Sequence, residues 1–215
     1  ALRNEHFLFA ALRSYQQMHR NYFPDIEAQA EAFRAAAGFD VEARLTDEDL
    51  RGALAERFGI TVDLDAIPGH PDLDRLRSIF RAPAGPRRKR NRAMGAVLHV
   101  NPKLMPSQRA FVYAREIGYH HLGLTDRPTT STWIEPKSFD QVLNHFKASY
   151  FAGALLMPRE RVRRDLTALF AGEQWDPKQI LRGLAAYRVP PEVLYFRLTE
   201  VIPPDFGLDE ICFMR

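Results

Sequence analysis

The sequence predicts an α+β fold, mostly helical, with a small three-stranded sheet and helical extensions at both ends. Two observations carry this reading. Apolar residues recur at helical spacing over most of the chain, and the strand-like stretches are short and confined to the first half. Neither an internal repeat nor a low-complexity linker interrupts the 215 residues, of which 46% are hydrophobic, enough for one substantial core.

The elements follow in order. Phe7, Leu8, Ala11, Leu12 and Tyr15 form one helical stripe, and Ile26, Ala30 and Phe33 form another after the break at Pro24. Two helices ending near Gly38 are expected. Thr46 stands three residues before the carboxylate of Asp49 and precedes Leu50, Leu54 and Phe58, which predicts a capped third helix stopped by Gly59. Stretches 60–64, 76–80 and 96–100 are predicted as strands. Helical periodicity returns at 107–122 and 139–157, and three further helices are expected at 159–170, 177–187 and 191–201, with Pro at early positions. These elements group as an N-terminal helical segment, 1–45, a core, 46–160, and a C-terminal helical segment, 161–215.

Composition narrows the function classes. No apolar run approaches the roughly 20 residues of a membrane-spanning helix, and residues 1–13 lack the pattern of an export signal. The single cysteine, Cys212, can form no internal disulfide and excludes a cysteine-built zinc site, so a cytoplasmic setting is expected, with Cys212 as a buried hydrophobe. A net charge of +3, from 30 basic and 27 acidic residues, is too balanced for the whole surface to bind nucleic acid.

Residues 101–158 carry the most specific pattern: a strand, Asn101-Pro102, a helix reading Ala114-Arg-Glu-Ile-Gly-Tyr-His-His121, a loop, and a helix from Ala148 reading Ser-Tyr-Phe-Ala-Gly-Ala-Leu-Leu-Met-Pro158. This order resembles the ImmA/IrrE-type zinc peptidases, which implies a zincin-like core. In that family the first helix reads H-E-x-x-H: two histidines one turn apart bind zinc, the glutamate between them is the general base, and a third ligand, usually Glu, comes from the next helix. Glu116 keeps the general-base position here, but Arg115 and Tyr119 replace the two histidines, and His145 falls near the third ligand. Arginine offers no lone pair to a metal. Zinc is therefore expected only under an alternative reading in which Glu116, His120 and His145 hold a displaced metal; otherwise no cofactor is expected. Helical geometry puts His121 near the centre of the apolar stripe, as a core histidine bonded to backbone, and His120 on the opposite flank, facing solvent. Arg115 is expected to fill the space left by zinc and to substitute for its charge, facing whatever polar group the second helix supplies. Arg115, Tyr119 and His145 are the candidate ligand-binding residues.

Outside this segment, Arg87, Arg88, Lys89, Arg90 and Arg92 cluster between two predicted strands, as a hairpin tip able to grip the phosphates of nucleic acid or of a coenzyme A-like ligand. The apolar C-terminal stretch, 206–215, is expected to dock on the core or to mark a homodimer contact. Looser likeness at both ends resembles the sensor part of XRE-type transcription regulators, some of which respond to short-chain acyl-CoA. That implies a helix-turn-helix DNA-binding module outside this chain, and the start at Ala1 is expected to reflect its removal. Three functions follow: a non-catalytic regulatory domain that binds a small ligand or a protein partner, an active metallo-endopeptidase using Glu116, or nucleic-acid binding through the basic hairpin.

Overall fold

The structure is a computed structural model that describes residues 2–67, 76–83, 95–129, 136–172 and 177–208. The basic run Arg87 to Arg92 and Cys212 lie outside them. The N-terminal helices are α1 (Leu2–Met18) and α2 (Pro24–Ala36), separated at Pro24 as its missing N–H and fixed φ dictate. α3 (Asp47–Phe58) begins with a reciprocal Thr46–Asp49 capping box and ends at Gly59, whose φ of 64° is the left-handed conformation that glycine adopts without strain. The strands are β1 (Ile60–Asp63), β2 (Ser78–Arg81) and β3 (Ala96–Val100). They form one sheet of order β1-β3-β2, β1 parallel to β3 and β2 antiparallel to it. The strands on either side of the basic run, β2 and β3, are therefore antiparallel neighbours.

Beyond the sheet come α4 (Pro106–His121), α5 (Phe139–Leu156), α6 (Arg159–Phe170), α7 (Pro177–Tyr187) and α8 (Pro191–Phe206). The sequence reading ended the last helix at Val201. α8 instead runs on through Pro203 and Pro204 for about another turn. Its end is held from outside the helix: Asp205 pairs with Arg159, and the Phe206 ring meets Phe170 edge-on at 5.0 Å. These tertiary contacts outweigh the helix hydrogen bonds that two prolines forgo.

α5 is the hub, packing against α1, α2, α4 and α8, while α3 lies on α4 and on β1. Two local features fix the hub. On one side, Gly118 of α4 comes so close to α5 that a Cβ there would lie 3.0 Å from the Ala148 carbonyl oxygen and 3.0 Å from Phe151 Cδ1. On the other side, Arg197 of α8 has no exposed surface. Its Nε donates to the Met157 carbonyl at 2.9 Å, its two terminal nitrogens donate to Glu27 of α2 at 2.6 and 2.8 Å, and one of them also donates to Glu200 at 3.1 Å. Tyr150 of α5 completes the cluster, donating its hydroxyl to Glu27 at 2.8 Å and accepting from the Phe23 N–H at 3.2 Å. One guanidinium thus ties the second, fifth and eighth helices together.

Three outcomes test this packing. Gly118→Ala forces α4 off α5 and lowers stability by about 1–3 kcal/mol in urea denaturation. Arg197→Met strands the Glu27 carboxylate in the core and costs about 3–5 kcal/mol in the same measurement. Burial pushes the Glu200 carboxyl up to about 8, against the pull of Arg197. The folded state therefore holds a proton that the unfolded chain has released, and stability declines as pH rises from the ordinary carboxyl value of 4.5 toward about 8. Glu200→Gln flattens that decline, read as urea midpoints between pH 5 and pH 9.

Candidate functional site

The site lies where the middle of α4, the edge strand β2, the start of α5 and the loop after α4 converge. Glu116 is 5% exposed and keeps its place on the inner face of α4. Its carboxylate is fully engaged. Arg127 donates to Oε1 and Oε2 at 2.8 Å each, a bidentate fork, and His120 Nε2 lies 3.0 Å from Oε1. Burial pushes this carboxyl up, but the hydrogen bond to His120 and the charge and hydrogen bonds of Arg127 outweigh it, so the net shift is downward. Glu116 is a held anion.

Arg127 was not visible to sequence reasoning. It stands eleven residues after Glu116 in an irregular loop, where no periodicity reports its direction; the available signal was a semi-apolar helix carrying a carboxylate in need of a counter-charge. The loop is fixed at two residues, Asp126 and Thr129. Asp126 accepts from Ser138 at 3.0 Å, from Gln141 at 3.1 Å and, through its carbonyl, from Asn144 at 2.8 Å. The Phe80 N–H of β2 donates to the Thr129 carbonyl at 2.9 Å, so the loop runs along the sheet edge. Between these anchors the Arg127 guanidinium is sandwiched by the Phe80 ring at 4.2 Å and the Tyr119 ring at 4.1 Å.

The other expected site residues divide. Tyr119 and His145 meet directly, hydroxyl to Nδ1, at 2.8 Å. Burial pushes the phenol up to about 12. His145 is pushed down to about 3 by burial and the nearby charges of Arg115 and Arg127. Both are uncharged at neutral pH. Arg115 lines the same cleft as His145, the polar group supplied by α5, and its charge acts on that ring, while the counter-charge to Glu116 is Arg127 and the His145 Nδ1 goes to Tyr119. Arg115 is 8% exposed and lies over the Phe111 ring at 5.6 Å.

His120 corrects an expectation in part. It keeps 30% of its side-chain surface exposed but also packs between Phe58 and Phe80, at 5.5 and 5.3 Å, with its Nε2 on Glu116. The solvent assignment assumed that helix faces alone decide exposure, whereas β2 and the end of α3 cover part of that flank. His121 is half-buried against Phe33 and Phe151, at 5.2 and 5.5 Å; burial lowers its pKa, opposed by the Gln29 backbone, and its Nε2 finds no acceptor among the described residues.

A zinc ion does not fit this donor set. The two helix positions offer a guanidinium and a protonated phenol, Arg127 holds both oxygens of Glu116, and His145 turns to Tyr119 instead of joining Glu116 and His120. Among the described residues no three His, Cys, Asp or Glu side chains gather within reach of one metal. No described helix is long and apolar enough to cross a membrane.

The Glu116–Arg127 fork makes a measurable statement. Arg127→Met leaves a buried carboxylate with only His120 and lowers stability at pH 7 by about 3–5 kcal/mol. Because the wild-type pair holds the Glu116 pKa below 4.5, its contribution is present above that value and fades as pH falls through the folded-state pKa. The gap between wild type and Arg127→Met therefore narrows in acid, and Glu116→Gln in the Arg127→Met background recovers part of the loss in urea titrations.

No curated protein matches the sequence. A solved structure described as a Mycobacterium tuberculosis transcriptional regulator shares the fold, with a TM-score of 0.61 at 22% identity, covering 90% of this chain and 52% of that one. The chain thus spans about half the length of the protein it matches. The family model described as the IrrE N-terminal-like domain matches residues 77–199, which take in β2, β3, α4, α5 and the whole Glu116 site. The resemblance seen in the helix motif is thereby shown on more than half of the sequence, and the chain belongs to the IrrE N-terminal-like domain family.

Proposed function

We propose that this chain is a non-catalytic, peptidase-like regulatory domain that binds a small ligand or a protein partner and passes the change to a DNA-binding module outside the chain. The observation that carries the catalytic half of this reading is the Glu116–Arg127 fork. A general base works best with a pKa near the operating pH and a free lone pair aimed at water. Glu116 has a lowered pKa, and both of its oxygens already accept from Arg127. With Arg115 and Tyr119 in the zinc positions, neither the metal nor the base of the family chemistry has its usual partners. The regulatory half is supported by the fold shared with a protein described as a transcriptional regulator, whose chain extends well beyond the matched part.

The contact between Glu116 and His120 favours a second reading, an active metallo-endopeptidase with an unorthodox site, because a carboxylate and an imidazole one turn apart can share a cation. Elemental analysis after zinc incubation and gel filtration separates the two. The wild-type chain is expected to keep well below one zinc per molecule and to cleave no peptide. Arg115→His with Tyr119→His gains little zinc while Arg127 remains, and gains substantially when Arg127→Ala is added. Stoichiometric zinc in the wild type, together with cleavage lost in Glu116→Gln, sinks the non-catalytic reading.

A further inference from the structure

Arg115 is left over by every pairing in the site. It is 8% exposed, its guanidinium lies over the Phe111 ring at 5.6 Å, and it makes no hydrogen bond or ion pair among the described residues. Burial lowers its proton affinity, yet a guanidinium stays charged at any physiological pH. A largely buried cation whose nitrogens meet no acceptor among the described residues and still reach solvent is an unfavourable arrangement for a structural residue and a favourable one for a site whose anion arrives from solution.

The residue lines a shallow cleft, open to solvent at its mouth, together with Ser78, Phe80, Val112, Tyr119 and His145. The charge balance there is simple. Arg127 and Glu116 cancel, while Tyr119 and His145 are neutral, leaving Arg115 as the one unanswered charge among the described residues of the cleft. Arg77, whose field also reaches Arg115, is 42% exposed and lies 3.6 Å from Glu192, so it is already answered. One fixed charge in a largely buried cleft matches one negative charge; a dianion would enter with half its charge uncompensated. The planar fork of arginine matches a carboxylate edge-on. Phe80 and Val112 supply an apolar wall for a short carbon chain.

We infer that this pocket binds the carboxylate of a small organic acid, with Arg115 as its bidentate partner. The inference rests on the reading that Glu116 does no metal-assisted chemistry, since that is what leaves the pocket to a ligand. Loading it supplies the acceptor that Arg115 lacks and joins α4 to the β2 edge, the two elements between which the Arg127 loop is held.

The test titrates the full chain with sodium acetate, with sodium chloride at equal ionic strength and with inorganic phosphate, following thermal unfolding and calorimetric binding. Acetate at about five times its Kd is expected to raise Tm by about 2–4 °C over chloride. Arg115→Met abolishes the rise, and phosphate gives less. Should Arg115→Met not fold, Arg115→Lys serves, since it keeps the charge but loses the fork, and a Kd weakened about tenfold or more is expected. Acetate behaving as chloride, an effect surviving in Arg115→Met or undiminished in Arg115→Lys, or phosphate binding as well as acetate overturns the carboxylate site. Zinc content and peptide cleavage are measured on the same samples. Cleavage dependent on Glu116 would overturn the non-catalytic reading, whereas a flat acetate titration without cleavage overturns only the ligand.

Discussion

Arg197 is the constraint on which the rest of the molecule hangs. A guanidinium without exposed surface must find acceptors inside the protein, and it finds them on Glu27, Glu200 and the Met157 carbonyl. Those acceptors belong to α2, to α8 and to the residue that ends α5, so satisfying one cation fixes the positions of three elements far apart in sequence. Hydrophobic packing would tolerate small slides between these helices; a forked ion pair tolerates far fewer. With α5 fixed on that side and pressed against Gly118 on the other, the cleft between α4 and β2 inherits a rigid wall.

Two buried carboxylates show opposite solutions to one problem. Glu116 keeps its charge because a bidentate arginine and a histidine together outweigh desolvation. Glu200 receives only part of Arg197, whose stronger contacts go to Glu27, and burial raises its pKa to about 8. The difference lies in how many donors each carboxylate meets. Where the family pattern places zinc ligands near a glutamate, this chain places an arginine from a neighbouring loop, clamped between two aromatic rings, and the charge of Glu116 is balanced.

That balance leaves Arg115 as the residue whose presence the fold does not explain. A structural role would have paired it, as Arg197, Arg127 and Arg109 are paired. Its position beside neutral Tyr119 and His145 gives the pocket a directed donor set without making it a metal site.

By itself the sequence determined the helices, the three strands and the family motif around Glu116. Each of these rests on short-range regularities: 3.6-residue periodicity, the Thr46–Asp49 cap, Gly59 at a left-handed turn, and a motif whose members sit one helical turn apart. It also showed that Arg115 could not be a zinc ligand, since that follows from side-chain chemistry alone. Only the tertiary structure decided what answers Glu116, what covers His120, and where Arg115 points. Arg127 reaches Glu116 through an irregular loop whose path is set by Asp126 and by the β2 edge, and Glu27 meets Arg197 across 170 positions. Buried charges choose partners by distance in the folded molecule, and that distance is created by packing the helices together and is absent from their order along the chain.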